Sequence, residues 1–195
     1  MSYKIEKVGV LGAGVMGAQI AAHITNAGLP VLMFDMSQEI VEKGLEFCKG
    51  LKPRHFFNPK NADMITPLNY DDHLEQLKEC DWVVEVIAEK LEWKKQLYSR
   101  IQPYIGDNAI ISTNTSGINL SDLVQEMPQE MASRFCLTHF FNPPRYLPLV
   151  EVVAGENTKP EVIEHISDFL ENTLGKGVVL AKDTPNFIAN RIGVF

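Results

Sequence analysis

Lys7-Val8-Gly9-Val10-Leu11-Gly12-Ala13-Gly14-Val15-Met16-Gly17 is the stretch that decides the fold. Its first five residues are short, β-branched and glycine-bounded, the pattern of a strand buried on both faces of a parallel sheet. Its last six read Gly-x-Gly-x-x-Gly. From Gly14 to Asn26 apolar residues recur at helical spacing (Met16, Ile20, Ala21, Ile24), and Gly28 ends that helix. Pro30-Val31-Leu32-Met33-Phe34-Asp35 is a second buried strand. A β-α-β unit this short, roughly 30 residues, needs a right-handed crossover and a parallel sheet.

A glycine hexamer alone is weak, because it occurs by chance. Here it follows a strand, opens a helix, and precedes an acidic residue, Asp35, at the end of the next strand. Gly12 permits the tight turn. Gly14 has no side chain, so a pyrophosphate can approach the backbone. Gly17 lets the helix pack on the strand. With Ala13, Val15 and Met16 they form a phosphate loop, where the free N–H groups and dipole of the helix start attract negative charge. Asp35 can accept hydrogen bonds from both adenosine ribose hydroxyls and would repel a 2′-phosphate, and no arginine lies nearby to compensate. NAD is therefore expected rather than NADP.

Working outward, strand and helix patterns keep alternating. Ser37 can cap a helix from Gln38 to about Leu51. Lys52–Lys60 is irregular and proline-containing. Ile65–Tyr70 is a short strand candidate, and Asp71-Asp72 opens a short helix. Further strands are expected at Cys80–Ile87, Ala109–Ser112, Phe135–Phe140, Leu149–Val153 and Gly177–Leu180. Helices are expected from about Trp93 to Ile101, after a Ser121 cap, and from Pro160 to Thr173. The fold class is α/β, a doubly wound, mainly parallel Rossmann-type sheet. Residues 1–183 are assigned to the NAD-binding domain. The run Thr184–Phe195 reads as a linker and the first turns of a helical domain that has been cut short.

The formal net charge of -7 disfavours nucleic acid and anionic membranes as partners. One modest basic cluster exists: Lys49, Lys52, Arg54 and Lys60. No apolar run approaches the ~20 residues of a membrane span. The three cysteines, Cys48, Cys80 and Cys136, sit among apolar neighbours without a CxxC pattern. They fit reduced core thiols, with no metal site, in a cytoplasmic protein.

Dinucleotide binding does not name a reaction. Hydride removal from an alcohol needs a base for the hydroxyl proton, and histidine suits that role near neutral pH. Of the five histidines, His23 and His165 sit within helices, and His55 and His73 lie in polar or irregular stretches. His139 ends an apolar strand and enters Phe140-Phe141-Asn142-Pro143-Pro144. Strand ends at that edge of the sheet are where ligands bind. Glu151, within Leu149-Val150-Glu151-Val152-Val153, is a carboxylate in an apolar strand and needs a partner if buried. The residues alone leave two possibilities, a His139–Glu151 dyad or a core histidine with an unrelated edge carboxylate.

Four further segments carry a resemblance. Thr113-Asn114-Thr115-Ser116, Thr138-His139-Phe140-Phe141-Asn142-Pro143, Leu149-Val150-Glu151-Val152 and Pro185-Asn186-Phe187-Ile188-Ala189-Asn190-Arg191 together resemble the L-3-hydroxyacyl-CoA dehydrogenase family of fatty-acid β-oxidation. The resemblance implies that His139 is the general base and Glu151 its orienting carboxylate. It implies that Ser116 hydrogen-bonds the substrate hydroxyl near the nicotinamide, and that Asn190 polarises the substrate carbonyl or holds the histidine. Without it, Ser116 reads as a turn or cap serine. Glu89 and Lys94 match family positions near the nicotinamide ribose, where otherwise they read as a solvated pair at a helix start. Asn142 matches a cofactor contact.

The resemblance also implies an acyl-CoA substrate, and a homodimer or multifunctional assembly built through a C-terminal region. The Gln38–Asn69 region departs most from the family, which has a longer helical arm there. It resembles the bacterial multifunctional relatives. Phe56 and Phe57 are candidates to touch an acyl chain. Two other functions fit the Rossmann pattern: a related sugar-acid dehydrogenase, and a non-catalytic NAD-binding protein.

Overall fold

The computed structural model describes residues 4–184 together with Phe187, Ile188 and Ile192. Eight strands form one sheet in the order β3-β2-β1-β4-β5-β6-β7-β8. They are β1 (Val8–Leu11), β2 (Val31–Asp35), β3 (Ile65–Asn69), β4 (Trp82–Glu85), β5 (Ile110–Thr113), β6 (Phe135–Phe140), β7 (Leu149–Ala154) and β8 (Gly177–Ala181). The first six are parallel. Strand β7 runs antiparallel to β6, and β8 follows β7. The helices are α1 (Val15–Asn26), α2 (Gln38–Gly50), α3 (Leu91–Ile101), α4 (Leu120–Val124), α5 (Gln129–Ala132) and α6 (Pro160–Asp168).

Strands β1, β4, β5 and β6 are buried along their whole length, because helices cover both faces. One apolar core gathers α1, α2 and α6 against the sheet. It includes Ile20, Ile24, Val41, Trp82 and Ile166. The other gathers α3, α4 and α5, with Leu97, Ile101, Leu120, Met131 and Phe135. The winding direction reverses between β1 and β4, since β2 and β3 extend one way and β5 onward the other. That reversal splays the connections apart and opens a crevice at the carboxyl ends of β1 and β4.

The structure corrects several local expectations. Ser121 does not cap α4. Asn119 holds the cap position without a side-chain bond, and the N–H groups of Leu120 and Ser121 donate instead to the Asp183 carboxylate at 3.0 and 3.2 Å. Asp71 and Asp72 do not open a helix. Their N–H groups donate to Asn69 Oδ1, both at 2.9 Å, and a 3-10 turn starts only at Leu74. The strand expected at Cys80–Ile87 shortens to Trp82–Glu85. Its ends peel away where pairing with β1 and β5 stops. The helix from Pro160 changes to a π-helical turn over Phe169–Thr173. The Ser37 cap stands, with its hydroxyl accepting from Ile40 N at 3.3 Å.

Candidate active site

The phosphate loop leaves the end of β1 in a conformation that its glycines dictate. Gly12 has φ 112°, in the left-handed region, and a Cβ there would meet Val86 O at 2.8 Å. At Gly17 a Cβ would lie 1.9 Å from Gly12 O, so the helix start can touch the loop only because no side chain intervenes. Gly14 instead faces open space, as a backbone surface for a phosphate must. Ala13 is buried, whereas Gly14 and Val15 are exposed and Met16 is half-buried.

Asp35 ends β2 beside this loop. Its carboxylate accepts from Ala13 N and Met36 N, each at 2.7 Å. A cleft of ≈ 580 Å³ runs from Gly12 and Gly14 past Asp35 to Trp93 and Arg100 on α3. An arginine does therefore stand near Asp35 in space, although none is near it in sequence. Arg100 is held by the Tyr70 carbonyl at 2.9 Å and the Asp71 carboxylate at 2.5 Å, so its charge is already matched.

His139 and Glu151 face each other across β6 and β7 as direct register partners. His139 Nδ1 lies 2.8 Å from Glu151 Oε2, with both residues buried. An ionised carboxylate only accepts, so Nδ1 carries the hydrogen and the lone pair rests on Nε2. That nitrogen is 3.1 Å from Ser116 Oγ. Glu151 Oε1 accepts from Ile188 N at 2.9 Å. The Phe141 ring stands edge-on to the imidazole at 4.6 Å between centroids. Three elements distant in sequence thus converge on one base, oriented from behind by Glu151 and facing Ser116.

Glu89 fixes Ser116. Its carboxylate accepts from Ser116 N at 2.9 Å, Gly117 N at 2.8 Å and the Thr115 hydroxyl. Partial burial works to raise this carboxyl, but the bonds from Thr115 and Gly117, the Lys94 charge and the Ser116 bond outweigh it. The net result lies below the usual carboxylate range. Lys94 is not placed as a solvated partner of Glu89. Its side chain is 1% exposed and bonds Glu85 at 2.6 and 2.8 Å, while Glu89 lies 3.9 Å away. Asn142 is exposed just beyond β6. Asn190 lies outside the described residues.

Sequence reasoning missed three residues here. Glu85 collects Lys94, Tyr98, Thr113 and Ile87 N around one buried carboxylate. Asn114 accepts from Phe140 N at 2.8 Å and ties the Ser116 segment to the His139 strand. Arg100 is the third. A signal for Glu85 existed: it is an acid inside an apolar strand, as Glu151 is. Among the described residues, no group of His, Cys, Asp or Glu could hold a metal ion.

A cleft at the glycine loop and a serine–histidine–glutamate constellation narrow the candidates, and comparison with known proteins decides. Residues 7–184 match the family model for the 3-hydroxyacyl-CoA dehydrogenase NAD-binding domain. The chain belongs to the 3-hydroxyacyl-CoA dehydrogenase family. It is 44% identical over 199 residues to a probable 3-hydroxyacyl-CoA dehydrogenase of Deinococcus radiodurans, covering 98% of this chain and 58% of that protein. It is 45% identical over 202 residues to a putative fatty acid oxidation complex trifunctional enzyme of Rickettsia felis, covering 100% of this chain and 28% of that protein. Among solved structures it superposes on Escherichia coli 3-hydroxybutyryl-CoA dehydrogenase with a TM-score of 0.84 at 29% identity, covering 97% of this chain and 41% of that one. The cofactor of this NAD-binding domain is NAD, which the open Gly14 backbone and the Asp35 carboxylate fit.

Proposed function

We propose that this domain serves an enzyme that oxidises (S)-3-hydroxyacyl-CoA to 3-oxoacyl-CoA. The observation that carries the proposal is the Ser116–His139–Glu151 line, with the lone pair of a buried, oriented imidazole directed at a serine hydroxyl. NAD, when bound, supplies the hydride acceptor. Gly12 to Gly17 hold its pyrophosphate and Asp35 its adenosine ribose. Glu89 and Asn142 would border the nicotinamide half, while Lys94, buried and held by Glu85, serves as the counter-charge of that carboxylate. Ser116 Oγ positions the substrate's 3-hydroxyl, and His139 Nε2 takes its proton as the C–H bond gives up hydride. Glu151 stabilises the imidazolium so formed. Such a base contributes about 10²–10⁴-fold. In the reverse direction the imidazolium returns the proton to the carbonyl oxygen. Asn190 is assigned from its family motif to polarise the substrate carbonyl or to hold the histidine.

The chain spans 58% of the first curated relative and 27% of the second, so substrate and partners are assigned through the family. The name of the trifunctional relatives supports a multifunctional assembly; a homodimer is the alternative that the family resemblance implies. Among the described residues no helix is long and apolar enough to cross a membrane, and all three cysteines are free and buried. Reduced thiols support a cytoplasmic location.

The test is a substrate panel on the full-length protein with NAD. Reduction with (S)-3-hydroxybutyryl-CoA but not with its (R) isomer or with gulonate is expected. Activity with gulonate alone would replace this function with a sugar-acid dehydrogenase.

A further inference from the structure

Two carboxylates and one ammonium lie beneath the Ser116 turn, and the ammonium is shared unequally. Lys94 Nζ is 2.6 and 2.8 Å from the two oxygens of Glu85 but 3.9 Å from Glu89. Glu85 is fully buried at the carboxyl end of β4 and also accepts from Tyr98 at 2.6 Å, Thr113 at 2.7 Å and Ile87 N at 2.6 Å. Four donor groups, two of them on α3, pin it in place. Glu89 is half-exposed; its hydrogen bonds, all on Oε1, come from neutral N–H and O–H groups, and Lys94 approaches its Oε2 no closer than 3.9 Å. The cluster as a whole therefore keeps one negative charge, and that charge sits on the carboxylate nearest Ser116.

Hydride and proton leave the same carbinol in one reaction. The hydride acceptor must therefore lie close to the Ser116–His139 pair, and so close to Glu89. An oxidised nicotinamide is cationic and a reduced one neutral. A fixed carboxylate nearby favours the oxidised form.

We infer that Glu85 is a positioning residue that reserves Lys94 for itself, leaving Glu89 as a net negative charge that holds Ser116 and biases the bound dinucleotide toward its oxidised form. This rests on the proposed placement of NAD beside Ser116. Had Lys94 paired with Glu89 instead, the site would present a neutral pair and Glu85 would be a buried, unmatched charge, which is costly.

The experiment measures Kd for NAD+ and for NADH on this chain and takes their ratio. Glu89→Gln keeps an oxygen acceptor for the Ser116 and Gly117 amides but removes the charge. It should move the ratio about tenfold toward NADH, as expected for one unit charge lost at short range in partly buried surroundings. The double variant Glu85→Gln/Lys94→Met removes a matched pair and leaves Glu89 charged, so its ratio should stay within about threefold of wild type. An unchanged ratio in Glu89→Gln would overturn the inference. So would a larger shift in the double variant, since Lys94 would then have been neutralising Glu89. If the wild-type chain bound neither dinucleotide, the NAD assignment itself would fall, a result distinct from an unmoved ratio.

Discussion

His139 and Glu151 occupy directly opposed positions of the one antiparallel strand pair among the described residues, with Nδ1 to Oε2 at 2.8 Å. The change of strand direction at β7 makes this possible. A parallel neighbour would have brought a different residue opposite His139, whereas the return strand brings a carboxylate from 12 residues later back to the same edge. The dyad is thus a product of sheet topology as much as of residue type. Replacing Glu151 with Gln in the full-length enzyme should lower kcat by about 10²-fold or more, because the imidazolium loses its counter-charge. Dinucleotide affinity should change less than about threefold. Steady-state rates beside an NADH titration check both, and a loss confined to NADH affinity would remove Glu151 from the catalytic role.

Asp35 meets the glycine loop through Ala13 N and lines the cleft shared with Gly12, Gly14 and Arg100. Asp35→Ser should weaken NAD+ binding about tenfold, from the loss of charge-assisted hydrogen bonds worth about 1.5 kcal/mol or more. It should also narrow the gap to NADP+, because the carboxylate that would repel a 2′-phosphate is removed. Kd values for the two dinucleotides test this. Equal weakening of both would show that Asp35 shapes the loop without reading the ribose.

Gly17→Ala puts a methyl group 1.9 Å from Gly12 O, backbone that cannot step aside without moving the loop. Both stability and NADH affinity should fall, the latter by more than about tenfold. A thermal melt with and without NADH measures them together. A variant with wild-type affinity would mean that the loop is looser than its contacts indicate.

His23 is buried within α1, its Nε2 donating to Leu174 O at 3.1 Å while Nδ1 has no hydrogen-bond partner. Burial, with the Lys176 charge nearby, pushes its pKa from 6.5 down to about 4. Between those values the unfolded chain binds a proton that the folded chain refuses. Stability therefore falls as pH drops from 6.5 to 4, by up to about 3 kcal/mol from this group. His23→Gln should lose less stability than wild type across that window. Parallel urea titrations at the two ends of the window measure the difference, and identical losses would contradict the assignment.

What was legible in the sequence is what consecutive residues encode. Gly12 to Gly17, the Asp35 strand end and the Ser37 cap each depend on neighbours a few positions away, and each stands in the structure as expected. The His139–Glu151 dyad is one of two readings of the residues and the one the family resemblance implies, but the reversal of β7 that brings the two side chains together is specified by no local pattern. Other partnerships across long separations were not legible. The cap of α4 comes from Asp183, and the arginine near Asp35 comes from α3. Lys94 looked like a solvated helix residue because its partner, Glu85, was passed over. The same reasoning that picked out Glu151, a carboxylate in an apolar strand that must find a donor, applied equally to Glu85.

Under the proposed function, His139 is the base of an (S)-specific 3-hydroxyacyl-CoA oxidation. Its most direct test follows NADH formation from (S)-3-hydroxyacyl-CoA by the full-length enzyme, wild type beside His139→Gln, with NADH affinity measured on the same preparations. Turnover should fall about 10²–10⁴-fold in the variant while NADH affinity stays within about twofold. Turnover by His139→Gln at the wild-type rate would contradict the account.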